Sequence, residues 1–192
     1  MNEKKKNEKL IVNECVTYIK KYFTLHDTIN VTIKKLIKII LNRSTNLVEG
    51  LEKKDEMDIL IKNELTREFI KFFESAKLTL VEMKKCILKM KSLNTTIKNC
   101  KIKSTPNVTS VTDQRILYTL NIFFNNTLTY FKQDYKLKKK IHEIILHVDS
   151  TDENEIKRIQ LMSEETPFLF LIFDKYNVNK LITECTQFLS TS

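Results

Sequence analysis

Two histidines, His142 and His147, bracket the run His-Glu-Ile-Ile-Leu-His. A zinc-protease helix needs its histidines at i and i+4, so that both imidazoles face one ion and the glutamate between them can act as base. Here the spacing is i+5, which turns the second ring about 140° from the first at ~3.6 residues per turn. The spacing therefore predicts two ordinary helix-surface histidines and no metal. Carboxylate groups such as Glu164-Glu165, or Asp55-Glu56 with Asp58, fall at expected helix starts or in linkers. There they complement the helix dipole and need no acid–base role. Cys15, Cys86, Cys100 and Cys185 include no Cys-x-x-Cys pair. The first three lie on or beside apolar stripes and are expected as buried thiols. The single glycine, Gly50, excludes the glycine-rich loops that cradle phosphates. No catalytic residue, cofactor or metal is expected, and the chain is expected not to be an enzyme.

Lysine is the most abundant chemistry left. The formal charge is +9, carried by 29 Lys and 4 Arg, with 16 Asn beside them. Arginine is the residue suited to forked phosphate and base contacts, and a Lys- and Asn-rich, Arg-poor chain is what an AT-rich genome produces. Two basic stretches stand out. Met83 to Thr112 holds seven lysines (84, 85, 89, 91, 98, 101 and 103) and no acid; Lys132 to Lys140 holds five, against one aspartate. Each reads either as a solvated helix face or as a contact for an acidic protein surface or nucleic acid.

The elements that carry these residues are all expected to be helical. One glycine and two prolines (Pro106, Pro167) leave few tight turns, which argues against sandwiches, barrels and doubly wound sheets. From Met57 to Cys100 apolar residues recur at steps of three and four: Met57, Ile61, Leu65, Phe69, Phe72, Ala76, Leu80, Met83, Ile87, Met90, Leu93, Ile97, Cys100. This is the stripe of one long helix, on the order of 60 Å at ~1.5 Å per residue. A helix of that length needs other helices along it. The first flanking helix is expected from about Leu10 to Leu41, with the stripe Ile11, Cys15, Tyr18, Tyr22, Leu25, Ile29, Ile33, Leu36, Ile40. Another is expected from about Asp113 to Val148, with Ile116, Leu120, Phe123 or Phe124, Leu128, Phe131, Tyr135, Ile141, Ile145 and Val148.

Residues 1–9 read as a disordered basic tail and 10–192 as one domain, with loops near 42–55, 101–112 and 149–152. Ser110 with Asp113 and Ser150 with Glu153 read as capping boxes. Thr166-Pro167 reads as the start of a last helical region, which breaks near Asn177. The fold class predicted is all-α: an elongated antiparallel bundle of three long helices with short C-terminal helices.

The third helix carries Phe124, Tyr130 and Tyr135 in addition to Phe123 and Phe131. At ~100° per residue these rings exceed one narrow stripe. Either the C-terminal segment, with Phe168 to Phe173, folds back over them, or some form a partner-binding patch. The candidate patch is Phe124 and Tyr130 rimmed by Lys132, Lys136, Lys138 and Lys139, since aromatic anchors with a charged rim suit protein interfaces.

Met1 to Lys9 is charged with no apolar segment behind it, and the longest apolar run, Phe168 to Phe173, is far too short to span a bilayer. An intracellular soluble protein is expected, without a membrane partner. The five Asn-x-Ser/Thr sequons, starting at Asn30, Asn42, Asn94, Asn107 and Asn125, then carry little meaning.

Three segments resemble the cyclin-dependent kinase 2-interacting protein family. Lys21-Tyr22-Phe23-Thr24-Leu25-His26-Asp27 matches its first-helix pattern of Lys, aromatic, any, Thr-Leu, any, Asp. Lys89-Met90-Lys91-Ser92-Leu93-Asn94-Thr95-Thr96 matches Lys-Met-x-x-Leu-x-[Ser/Thr]-Thr near the end of the central helix. Phe131-Lys132-Gln133-Asp134, then Leu137-Lys138-Lys139, Ile141 and His147, follow a third pattern without gaps. Order and spacing agree over roughly residues 12–190. The chain departs from the family in having no tryptophan; Cys15 and Tyr22 stand where the first helix usually carries it, and only Thr105-Pro106-Asn107 stands for a Pro/aromatic-rich loop.

The resemblance implies a non-catalytic adaptor of genome maintenance, nuclear and in part cytoplasmic. Its implied partners are a cell-cycle kinase at replication origins, a checkpoint protein, or an AAA-ATPase assembly acting in replication and ribosome maturation. It assigns no ligand residue. The alternatives are a structural coiled-coil subunit of a tether or kinetochore complex, and a basic helical protein that binds nucleic acid directly.

Overall fold

The computed structural model describes residues 3–44, 54–100 and 111–190. Every regular element among them is helical: α1 (Glu3–Ser44), α2 (Lys54–Asn99), α3 (Val111–Ile145), α4 (Glu153–Glu164), α5 (Pro167–Asp174) and α6 (Val178–Ser190). Two of the expected loops, and the Ser110–Asp113 capping box, fall wholly or partly outside the described residues.

Helix α1 starts at Glu3, where the sequence predicts a disordered tail. Lysine and glutamate are good helix formers, and the helix has something to hold at this end. Lys9 Nζ donates to the Leu189 carbonyl at 3.4 Å and sits 6.0 Å from the Phe188 ring centroid. The buried register of α1 also reaches back to this end, through Glu8, Val12, Cys15, Ile19, Tyr22, His26, Ile29, Ile33, Leu36 and Ile40. The steps alternate four and three throughout, as coiled-coil packing requires. Ile11, Tyr18 and Leu25, expected on the stripe, are each displaced by their next neighbour and lie half-buried.

The same rule governs α3. Leu117, Leu120, Phe124, Thr127, Phe131, Asp134, Lys138, Ile141 and Ile145 alternate three and four, and all are buried. Ile116, Leu128 and Tyr135, expected on the stripe, are only half-buried. On α2 the expected stripe is buried at Phe69 and from Ala76 to Ile97, but Met57 is 42 % exposed and Ile61, Leu65 and Phe72 are half-buried. The described part of α1 ends beside this point: Arg43 lies over the Phe69 ring at 4.7 Å and reaches Thr66 Oγ1 at 3.5 Å.

The short helices start where their caps dictate. Asp152, not Ser150, caps α4: its Oδ1 accepts from the Glu155 N–H at 3.0 Å. Asp149 instead closes a turn, accepting from Thr151 N–H and Oγ1 at 2.9 and 2.8 Å. Pro167 opens α5 as expected, since a missing N–H costs nothing there. The break at Asn177 is real; that residue takes φ 43° and its Oδ1 accepts from the Lys180 N–H, starting α6.

The chain forms two compact units. Unit 1 comprises Met1–Thr24, Met83–Asp134 and Pro167–Ser192; unit 2 comprises Leu25–Glu82 and Tyr135–Thr166. Each takes a stretch of every long helix, but α5 and α6 belong to unit 1 and α4 to unit 2. Different short helices therefore complete the two cores. In unit 2 the buried Ile156 and Ile159 of α4 are joined by an ion pair from Lys34 to Glu164 at 3.5 Å. In unit 1, Val178, Leu181, Cys185 and Phe188 of α6 are buried at helical spacing.

Candidate interaction surface

The aromatic residues of α3 divide by burial. Phe124 is fully buried, with its ring 5.7 Å from Phe123. Phe131 is enclosed by Tyr22 at 4.8 Å, Phe23 at 6.0 Å and Phe123 at 6.5 Å. Tyr130 is half-buried, 6.1 Å from Tyr176, and Phe23 lies 4.7 Å from Phe173. The C-terminal segment thus lies against this cluster inside unit 1.

The six residues of the candidate patch do not share one exposed surface. Phe124 is core. Lys138 is also core: it is fully buried and its Nζ donates to the Ser163 carbonyl at 2.8 Å. The cause is register, because Lys138 occupies the heptad position of Phe124 and Phe131. Lys132 and Lys136 are exposed. Lys139 is exposed and pairs with Glu143 at 3.0 Å, and the hydrogen bond to that carboxylate, with its charge, raises the amine above its usual value. Phe124, Tyr130 and Lys132 fall in unit 1; Lys136, Lys138 and Lys139 fall in unit 2.

Charged residues on the buried registers were missed by a search for apolar stripes. The hydroxyl of Tyr22 shares its one proton between Asp134 Oδ2 at 2.8 Å and the Phe131 carbonyl at 2.9 Å, with Tyr22 and Asp134 both fully buried. The signal available in the sequence was the unbroken alternation of three and four through Asp134 and Lys138.

The histidines part company. His142 is buried rather than on the surface; its ring stacks on Phe73 at 4.0 Å and its Nε2–H donates to the Phe73 carbonyl at 3.1 Å. His147 is exposed, past the end of α3. Among the described residues no three His, Cys, Asp or Glu side chains gather where a metal could be held. Cys15, Cys86 and Cys185 are buried; burial is the main cause that pushes the Cys15 and Cys185 thiols up to about 12. Cys100, expected to be buried, is exposed in the turn that ends α2.

The net charge is concentrated in one unit. Over the chain segments of unit 1 there are 17 Lys and Arg against 7 Asp and Glu, a net +10; over those of unit 2 there are 16 against 17, a net −1. In unit 2, Lys62, Arg67 and Lys77 each pair with an acid on the same helix. In unit 1, α2 from Met83 to Asn99 has lysines and no acid. Lys89 pairs with Glu14 at 3.2 Å and lies 5.9 Å over Tyr18. Lys84, Lys91 and Lys98 are exposed and make no ion pair among the described residues.

No protein-family model matches the chain, and a search among curated proteins finds no match either. Among the described residues, no helix is long and apolar enough to cross a membrane.

Proposed function

We propose that this chain is a non-enzymatic adaptor of genome maintenance that presents helix faces to partner proteins. In this reading α1, α2 and α3 run up, down and up as an elongated antiparallel bundle. Its partners are a cell-cycle kinase, a checkpoint protein or an AAA-ATPase assembly, and it works in the nucleus and in part in the cytoplasm. The observation that carries the reading is where the segments resembling the cyclin-dependent kinase 2-interacting protein family fall. Phe131 and Asp134 of the third are fully buried. Met90 and Leu93 of the second are buried. The matched positions thus include fold-determining ones, where shared residue types carry more information than on a solvated face. The antiparallel course is supported by pairs in which the position met on the next helix falls as the residue number on the first rises: Glu14 with Lys89 and Arg43 with Thr66, then Phe73 with His142 and Asn94 with Asn125.

Affinity purification from the source cells tests this directly. The adaptor recovers a replication kinase, a checkpoint protein or an AAA-ATPase; recovery of vesicle-tether or kinetochore subunits alone ends the proposal. A coiled-coil subunit of such a tether or kinetochore complex is the second reading, favoured by the exposed Met57, Ile59 and Leu60 near the start of α2. It requires another long helical chain for stability. A monomer in ultracentrifugation that melts in one cooperative transition counts against it.

A further inference from the structure

The proposed adaptor needs a docking surface, and unit 1 offers one with a regular pattern. Lys84, Leu88, Lys91, Thr95 and Lys98 follow one another on α2 at steps of four, three, four and three, and all five are exposed. This is a second, outward register on the helix whose other side builds the core. Residues in such a register face a neighbouring helix along its whole length. The three lysines recur at every seventh position, about 10 Å apart at ~1.5 Å per residue. They have no ion-pair partner among the described residues, and α2 supplies no acid between Met83 and Asn99. Leu88, between the first two, is 57 % exposed.

Helix α3 forms the neighbouring wall. Asn94 Nδ2 donates to Asn125 Oδ1 at 3.0 Å, and Asn125 Nδ2 donates to Asn121 Oδ1 at 2.6 Å. Beside these amides Ile122 stays 42 % exposed. The surface therefore combines apolar side chains on two helices with a heptad row of unneutralised ammonium groups, in the unit that carries the whole net charge.

We infer that this face of α2, with Ile122 of α3, docks an acidic amphipathic helix of a partner protein. Such a helix repeats its carboxylates at the same heptad rise as Lys84, Lys91 and Lys98, and brings apolar residues to Leu88 and Ile122. A nucleic acid fits less well. Each of its strands presents a charge about every 3.4 Å along the axis, no arginine fork lies on the α2 row, and a leucine stands in the middle of it. The inference rests on the adaptor reading and specifies its surface.

The test uses the whole chain and a designed three-heptad helical peptide with leucine at a and d and glutamate at e and g. A scrambled peptide of equal composition and a short DNA duplex serve as comparisons. The designed peptide should bind at least roughly tenfold more tightly than the scrambled one, and Lys91→Glu with Lys98→Glu should weaken it at least roughly tenfold. Leu88→Ala should weaken it severalfold, whereas Lys38→Glu with Lys140→Glu, the same charge change in unit 2, should leave it nearly unchanged. Equal binding of both peptides, tighter binding of the duplex, or equal loss in the unit 2 control overturns the inference. Zero-length lysine–carboxylate crosslinking of the unaltered protein needs no variant, and crosslinks to the peptide from lysines other than 84, 91 and 98 also overturn it. Failure here with replication or checkpoint partners still recovered from cells removes this surface alone; loss of those partners removes the adaptor reading.

Discussion

Removing one oxygen atom, by Tyr22→Phe, tests whether buried polar residues on the long-helix registers hold unit 1 together. The phenylalanine keeps the ring and its edge contact with Phe131 at 4.8 Å. It loses only the hydroxyl, whose one proton is shared between Asp134 Oδ2 at 2.8 Å and the Phe131 carbonyl at 2.9 Å. Both residues are fully buried, so water cannot readily replace the donor. Taking a donor from a buried acceptor costs about 1–3 kcal/mol. A loss of about 2 kcal/mol lowers the melting temperature of a chain this size by about 4–8 °C. Urea unfolding at neutral pH should show the midpoint falling with little change in slope, because the surface exposed on unfolding is unchanged. A double-mutant cycle with Asp134→Ala should give a coupling of at least about 0.5 kcal/mol. A loss below about 0.5 kcal/mol, or a cycle without coupling, refutes the assignment.

Four further outcomes follow from burial and hydrogen bonding. Phe124→Ala should cost about 3–5 kcal/mol by opening a core cavity, while the half-buried Tyr130→Ala should cost less; equal small losses by thermal melting contradict the placement of Phe124. A maleimide near pH 7 should label the folded chain at Cys100 alone and all four cysteines in denaturant, read by mass spectrometry. For Cys15 and Cys185 the folded value of about 12 lies above the ordinary thiol value, so their stability contribution is full below that ordinary value and is lost as pH rises toward 12; Cys15→Ala should flatten this alkaline loss in melts across that range. Asp149 is held below the usual carboxylate value by the Thr151 N–H and hydroxyl. Its contribution is therefore present above the unfolded value and is lost as pH falls through the folded one. Thr151→Val removes the hydroxyl bond and should move the Asp149 titration upward in NMR, and an unchanged titration sinks that cause.

The fold class was legible because glycine and proline are so scarce and the apolar periods so long. The register was legible only to within one residue. On α1 the apolar Ile11, Tyr18 and Leu25 compete with the true positions Val12, Ile19 and His26, and on α3 Leu128 and Tyr135 compete with Thr127 and Asp134. At His26, Thr127 and Asp134 a hydropathy pattern selects the more apolar neighbour, whereas packing selects the position that keeps the three–four alternation. The candidate patch failed at two residues for the same reason: Phe124 and Lys138 share one heptad position, so both face inward. The basic stretch on α2 was visible as composition. Its division into Lys89, paired with Glu14, and the row Lys84, Lys91 and Lys98 depended on which face α1 covers.

The most direct test of the account is a zero-length lysine–carboxylate crosslinking map of the native complex purified through this chain. The account predicts that a replication kinase, checkpoint protein or AAA-ATPase subunit is recovered, with carboxylates of an acidic helix joined to Lys84, Lys91 or Lys98. A complex containing only tether or kinetochore subunits, joined along the exposed start of α2 around Met57 to Leu60, would contradict it.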